Sequence, residues 1–215
     1  MKLVLEKHQS LYFTSDTHYN HSGICRATSH WDNIEDTTRD FQSLEQMNDT
    51  IVNNINAMVG PDDVLVHLGD WSFGGFDKIQ EFRNRINCKN IHLVLGNHDE
   101  HIEKNNNNIR DIFSSVNHYV NLDVRVPSVL TKGKVDKYKF ILMHYPIASW
   151  DKMKEGRIHL HGHLHSPKHL RVNQGKVMDV GMDGNDMCPI GLYDILTLLL
   201  SQPIKNFTIN KDHHQ

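Results

Sequence analysis

Five short polar motifs punctuate the chain in a fixed order: Asp16-Thr17-His18, Gly69-Asp70, Gly96-Asn97-His98-Asp99, His144 and Gly162-His163-Leu164-His165. Each follows an apolar run that reads as a β-strand. No other feature restricts the fold as much, because side chains at the ends of neighbouring strands converge in space. Two Asp, one Asn and four His from these motifs are enough donors to hold two divalent cations side by side.

The intervening residues fill in the architecture. Residues 3–5 and 11–14 read as short strands, and 20–39 as a polar, irregular stretch. Phe41, Leu44, Met47, Ile51, Ile55 and Met58 recur every three or four residues, one apolar helical face. Thr37 or Thr38 is placed to cap its start, and Gly60-Pro61 to end it. A strand over 64–68 precedes Gly69-Asp70, and Ile79, Phe82 and Ile86 mark a second helix. A strand over 91–95 and a loop over 105–108 follow. Residues 116–126 and 138–143 read as strands, 157–160 leads to the last motif, and 177–181 is a further strand. Residues 190–200 read as a helix, or a helix running into a strand. The first half alternates strand and helix, which implies parallel pairing, whereas the second half is mostly strand. With no repeat or linker, 1–215 reads as a single domain with one full core.

Composition narrows the function. The chain holds 17 His in 215 residues, an excess that favours a metal site, although His8, His30, His118, His213 and His214 read as surface residues. A net charge of −3 and the lack of Lys/Arg clusters speak against stable binding to duplex nucleic acid. Cys25, Cys88 and Cys188 are odd in number and far apart, as free thiols in a reducing compartment would be. No apolar run is long enough to span a bilayer, and the first residues lack a signal-peptide pattern. The expectation is a cytoplasmic protein with no membrane partner.

The ordered motifs resemble those of the calcineurin-like metallophosphoesterase superfamily, over roughly Tyr12 to Asp183. With His21 soon after the first motif, the chain is similar to small bacterial and phage members. The resemblance implies a four-layer α/β/β/α sandwich of two mixed sheets flanked by helices. It implies that Asp16, His18 and His165 bind one metal, that Asn97, His144 and His163 bind a second, and that Asp70 bridges them. His98 would be the general acid, with Asp99 orienting its ring. A hydroxide held between the metals would attack phosphorus while His98 protonates the leaving group. Nitrogen and carboxylate donors suit two divalent transition-metal ions, Mn²⁺ first, with Fe²⁺, Zn²⁺, Ni²⁺ or Co²⁺ as alternatives. The expected substrate is a small phosphodiester or nucleotide. The alternatives are a metal-dependent nuclease, a phosphomonoesterase or a non-catalytic binding scaffold.

Other residues admit two readings. His21 and Arg26 are either contacts for a substrate phosphate or exposed loop residues. Tyr145 and Trp150 either stack on a substrate ring or pack. His67 and His161 read as structural, and Asp183 as a group behind the metal ligands. The loops at 20–39 and 144–156 are the expected walls of an open site.

Overall fold

Short runs of buried β-branched and aliphatic residues define the strands, and the longer 3.6-residue periods define the helices. The computed structural model describes residues 1–105, 111–173 and 175–204. In chain order the elements are Lys2–Val4 (β1), Leu11–Thr14 (β2), Ile34–Thr37 (α1), Leu44–Met58 (α2), Val64–His67 (β3), Phe76–Arg85 (α3), Asn90–Val94 (β4) and Glu100–Lys104 (α4). They continue with Ser115–Asn117 (β5), Tyr119–Pro127 (β6), Val135–Met143 (β7), Ile158–His161 (β8), Val172–Asn173 (β9), Val177–Asp179 (β10), Ile190–Gly191 (β11) and Leu192–Leu199 (α5).

The strands form two mixed sheets, and the whole is an α/β sandwich flanked by helices. The five-stranded sheet has the order β11-β2-β3-β4-β5, with β2 to β5 parallel as the strand–helix alternation implied. The six-stranded sheet has the order β1-β6-β7-β8-β10-β9. Between the sheets lies an apolar core containing Phe13, Val66, Val124, Phe140, Leu142, Leu160 and Met178. Leu192, Ile195, Leu196 and Leu199 of α5 join it. Against the other face of the five-stranded sheet, α2 and α3 lay Met47, Ile51, Ile55, Ile79 and Phe82 on Leu65, Ile91 and Leu93. The β6 strand alternates strictly, with Val120, Leu122, Val124 and Val126 inward, so one face of the six-stranded sheet is partly open to solvent.

Three local expectations change. Residues 116–126 are two strands in different sheets, and His118 alone carries the chain across. Val116, His118, Val120 and Leu122 keep a period of two, so the pattern does not break where the sheet does. The cap of α2 is Ser43, whose hydroxyl accepts from the Gln46 amide at 3.0 Å. Thr37 instead closes α1 and donates to the Asn33 carbonyl at 2.6 Å. Residues 190–200 run from a strand into a helix, the reverse of the expected order. The loop expected at 105–108 lies outside the described residues beyond Asn105, as do His213 and His214. His8, His30 and His118 are exposed.

All the motif-bearing strands deliver their C-terminal ends to one end of the sandwich. At the opposite end a groove of about 910 Å³ opens beside Leu5, Leu11, Val126, Val135 and Tyr193. Among the described residues no helix is long and apolar enough to cross a membrane.

Candidate metal centre

Each ligand candidate sits one to four residues beyond a strand, where the backbone turns sharply. Asp16, His18, Asp70, His163 and His165 all have φ between 48° and 71°, the left-handed region that side-chain-bearing residues avoid. Such conformations persist only where the surroundings over-determine them, and they concentrate at functional sites. Main-chain bonds between neighbouring loops hold them here. The Asp16 amide donates to the Gly69 carbonyl at 2.9 Å, and the His18 amide to the Asp70 carbonyl at 3.0 Å. The Gly162 amide donates to the His144 carbonyl at 2.9 Å.

Glycines leave room for the carboxylates. A Cβ on Gly96 would strike the Asp70 carboxylate and come within 2.6 Å of the Asp70 amide nitrogen. A Cβ on Gly162 would strike both Ser15 Oγ and the Asp16 carboxylate.

The side chains then converge. Asp16, His18 and His165 place one donor atom each within 4.8 Å of one another, as do Asp16, Asp70 and His144. His18 Nε2 lies 3.6 Å from Asp70 Oδ2, and His144 Nε2 lies 3.5 Å from the same oxygen, so Asp70 stands between two groups of donors. On one side His18 Nε2 and His165 Nε2 are 3.1 Å apart. On the other, Asn97 Oδ1 is 3.0 Å from both His144 Nε2 and His163 Nδ1. The five-stranded sheet supplies Asp16, His18, Asp70 and Asn97, and the six-stranded sheet supplies His144, His163 and His165.

The donor set fits divalent cations. Two imidazole nitrogens facing each other, with two carboxylates alongside, are placed to turn their lone pairs toward a cation among them. Burial pushes the Asp16 carboxyl above the usual carboxylate range, although His165 and His144 pull the other way. Burial, with Arg39 and His165 nearby, holds the His18 ring well below the usual imidazole range. Burial lowers His163 as well. Neutral imidazole is the form that binds metal. Burial alone would lower His165, but the hydrogen bond to Asp183 and the charges of Asp183 and Asp16 together outweigh it, and the ring sits above its usual value.

Outer partners fix the ring orientations. His144 Nδ1 donates to the Leu68 carbonyl at 2.7 Å, and His165 Nδ1 to Asp183 Oδ2 at 2.8 Å. Asp183 therefore lies behind a ligand candidate, as its position suggested. His67 is fully buried with Nε2 2.9 Å from the Thr17 hydroxyl, a structural role. His161 is also buried, and its Nδ1 is 2.9 Å from the Gly162 carbonyl.

His98 and Asp99 part company. The His98 ring is exposed, 5.6 Å from the His18 ring and 4.8 Å from that of Phe73, while its amide donates to Asp70 Oδ1 at 2.9 Å. Asp99 makes no hydrogen bond to it. Instead its carboxylate accepts the amides of Asp70 at 2.8 Å, Trp71 at 2.9 Å and Gly96 at 2.8 Å. The expected ring-orienting contact is thus replaced by one that shapes the loops themselves.

The remaining candidates divide the same way. His21 lies against Phe73 with ring centres 3.7 Å apart, beside the His18 ring at 5.3 Å. Arg26 is turned elsewhere, 3.0 Å from Asp40 and 3.4 Å from Glu35. Tyr145 is exposed with its ring 4.7 Å from that of His163. Trp150 packs on His159 at 5.2 Å and donates to the Arg157 carbonyl at 2.8 Å, away from the cluster. Sequence reasoning missed Arg39, Phe73 and Ser15. Arg39 had no signal, lying in a stretch without periodicity.

Comparisons with known proteins agree with this geometry. A family model described as calcineurin-like phosphoesterase matches residues 10–180. An uncharacterized protein of Methanocaldococcus jannaschii is 28% identical over 209 residues, covering 94% of this chain and 97% of that protein. The gene 66 protein of Mycobacterium phage L5 is 24% identical, covering 80% of this chain and 86% of its own. The crystal structure of a protein of unknown function from Aquifex aeolicus superposes with a TM-score of 0.60 at 25% identity. That likeness covers 89% of this chain and all of the other.

Proposed function

Because the chain belongs to the calcineurin-like phosphoesterase family and is a metal-dependent phosphoesterase, we propose that it hydrolyses small or nucleotide-type phosphodiesters. Asp16, His18 and His165 would hold one ion and Asn97, His144 and His163 the other, with Asp70 shared. Two divalent cations there, Mn²⁺ the first candidate, would neutralise phosphoryl oxygens and make a water acidic enough to serve as nucleophile near neutral pH. The observation that carries this reading is the convergence of two carboxylates and three imidazoles into overlapping groups whose donors lie within 4.8 Å.

The chain's own groups do the rest. Asp16 and Asp70 return only two negative charges to two divalent ions, so the site stays positive toward a phosphate. His98 stands exposed at the mouth, tied through its amide to Asp70, and protonates the departing oxygen. Asp99 serves His98 indirectly, by holding the three amides that shape the loops on either side of the cluster. His21, laid flat on Phe73, walls the His18 side and is placed to meet a substrate oxygen. A diester suits the mouth because exposed rings flank both ends of the cluster. Trp31 lies beyond His21 at 5.9 Å and Tyr145 lies against His163, each able to take one ester substituent.

The test is hydrolysis of p-nitrophenyl phosphate and bis-p-nitrophenyl phosphate by EDTA-stripped protein reloaded with Mn²⁺, Ni²⁺, Zn²⁺ or Mg²⁺, beside His98→Ala. Metal-dependent turnover of the diester, lost in the variant, is expected. Preference for the monoester overturns the diester assignment. No turnover with two ions bound per chain favours the scaffold.

A further inference from the structure

The stretch between β2 and α2 leaves the site at Tyr19 and returns to it at Arg39. Main-chain bonds lock the return: the Arg39 amide donates to the Ile24 carbonyl at 2.7 Å, and the Arg26 amide to the Arg39 carbonyl at 3.0 Å. The Arg39 side chain then runs inward and is 5% exposed. Its guanidinium makes four hydrogen bonds. Nη1 donates to the Thr17 carbonyl at 2.9 Å and Nη2 to the Asp16 carbonyl at 2.5 Å. Nε and Nη2 grip the two oxygens of Asp183 at 2.9 and 2.8 Å. Asp183 Oδ2 also receives His165 Nδ1, which leaves His165 Nε2 facing His18 Nε2 and Asp16 Oδ1.

One buried cation therefore touches the Asp16 and Thr17 carbonyls and the Asp183 carboxylate that orients His165. It touches none of Asn97, His144 and His163. We propose that Arg39 is a positioning residue for the ion assigned to Asp16, His18 and His165, clamping that ligand set from behind. The inference rests on the ion assignment given under the proposed function. It does not require that the substrate be a diester.

Two physical effects follow from the geometry. The planar fork matches both carbonyls and the carboxylate at once, which a lysine ammonium cannot do. It holds the Thr17 and Asp16 carbonyls where Asp16 and His18 need left-handed backbone, with φ of 54° and 48°. Its charge also offsets that of Asp183, so a third carboxylate can orient His165 without adding a net negative charge behind the ligands. Partners of this kind that lie behind metal ligands typically change metal affinity by about 10- to 100-fold when removed.

The experiment is calorimetric titration of the EDTA-stripped full chain with Mn²⁺ alone, without substrate. Wild type, Arg39→Lys, Arg39→Met, Asp183→Asn and the double variant Arg39→Met/Asp183→Asn are compared. Wild type is expected to show two binding events. Arg39→Met should weaken one of them by about 10- to 100-fold and leave the other within about threefold. Arg39→Lys should fail to restore it, and Asp183→Asn and the double variant should weaken the same event and not the other, because both residues lie behind the same ligand set. Where Arg39→Met folds poorly by circular dichroism, the double variant, which removes both buried charges together, carries the test. Unchanged binding in every variant, equal weakening of both events, or no Mn²⁺ uptake by wild type overturns the proposal. A wild type that takes up two Mn²⁺ ions but cleaves no ester sinks the diester reading and leaves the clamp standing.

Discussion

Three amides, those of Asp70, Trp71 and Gly96, point at the two oxygens of Asp99, and that carboxylate is buried. Asp99→Asn would set an amide NH₂ against at least one of those N–H groups. The expected loss of stability is about 2 kcal/mol, read as a lower urea midpoint of the metal-free protein. Asp70→Asn should instead leave that midpoint nearly unchanged while lowering Mn²⁺ uptake and ester turnover by more than about 100-fold. Asp183 gives a pH-dependent case. Burial would raise its pKa, but Arg39 and His165 more than reverse this and hold the carboxyl well below the usual range. Its contribution to stability is therefore complete above the unfolded value of about 3.9 and is lost as pH falls toward the folded one. In urea unfolding, the stability gap between wild type and Asp183→Asn should be widest near pH 7 and narrow below about pH 4. At this scale the seven candidate donors were visible as candidates because each ends a strand in a motif. Asp99 was misread because a carboxylate next to a histidine fits either a ring or a set of amides. Only the positions of Asp70 and Trp71, about 28 residues away in sequence, decide between them.

Elements meet at the site through their glycines. Gly96 and Gly162 allow one loop to lie against the carboxylate of the next, with no space for even a methyl group. Gly96→Ala and Gly162→Ala should each abolish Mn²⁺ binding by calorimetry while far-UV circular dichroism stays that of the wild type, since both lie outside the strands. A much smaller effect is expected from Ser43→Ala, which removes the cap of α2 and should destabilise by about 1 kcal/mol without touching activity. The helices and parallel strands were readable because each keeps its period over its length. The change of sheet at His118 was not, because a pattern of period two says which side chains face the core but not which sheet supplies it. The cap was missed for a related reason. Several hydroxyls precede α2, and only the turn formed by α1 shows which is free.

For the molecule as a whole, the candidate ligands come from both sheets, so metal binding there would be linked to folding. Stripping with EDTA should lower the melting temperature, and Mn²⁺ at about 100 times its Kd should restore about 2.7 kcal/mol for each site filled. Turnover should fall below about pH 6, where imidazole ligands begin to take up protons in place of metal. Full activity at pH 5 would argue against these ligands.

The sheets are joined at the site end by the candidate ligand cluster, by His118 and by the 180–189 segment, whereas at the far end only the 5–10 segment crosses, beside a groove. The sandwich thus behaves like a purse with its clasp at one rim and a loose seam at the other. Breathing motions should run as a gradient along the strands, largest around β1 and the turn between β6 and β7. Hydrogen exchange should begin there in the loaded protein, and removing the ions should let it spread toward the clasp.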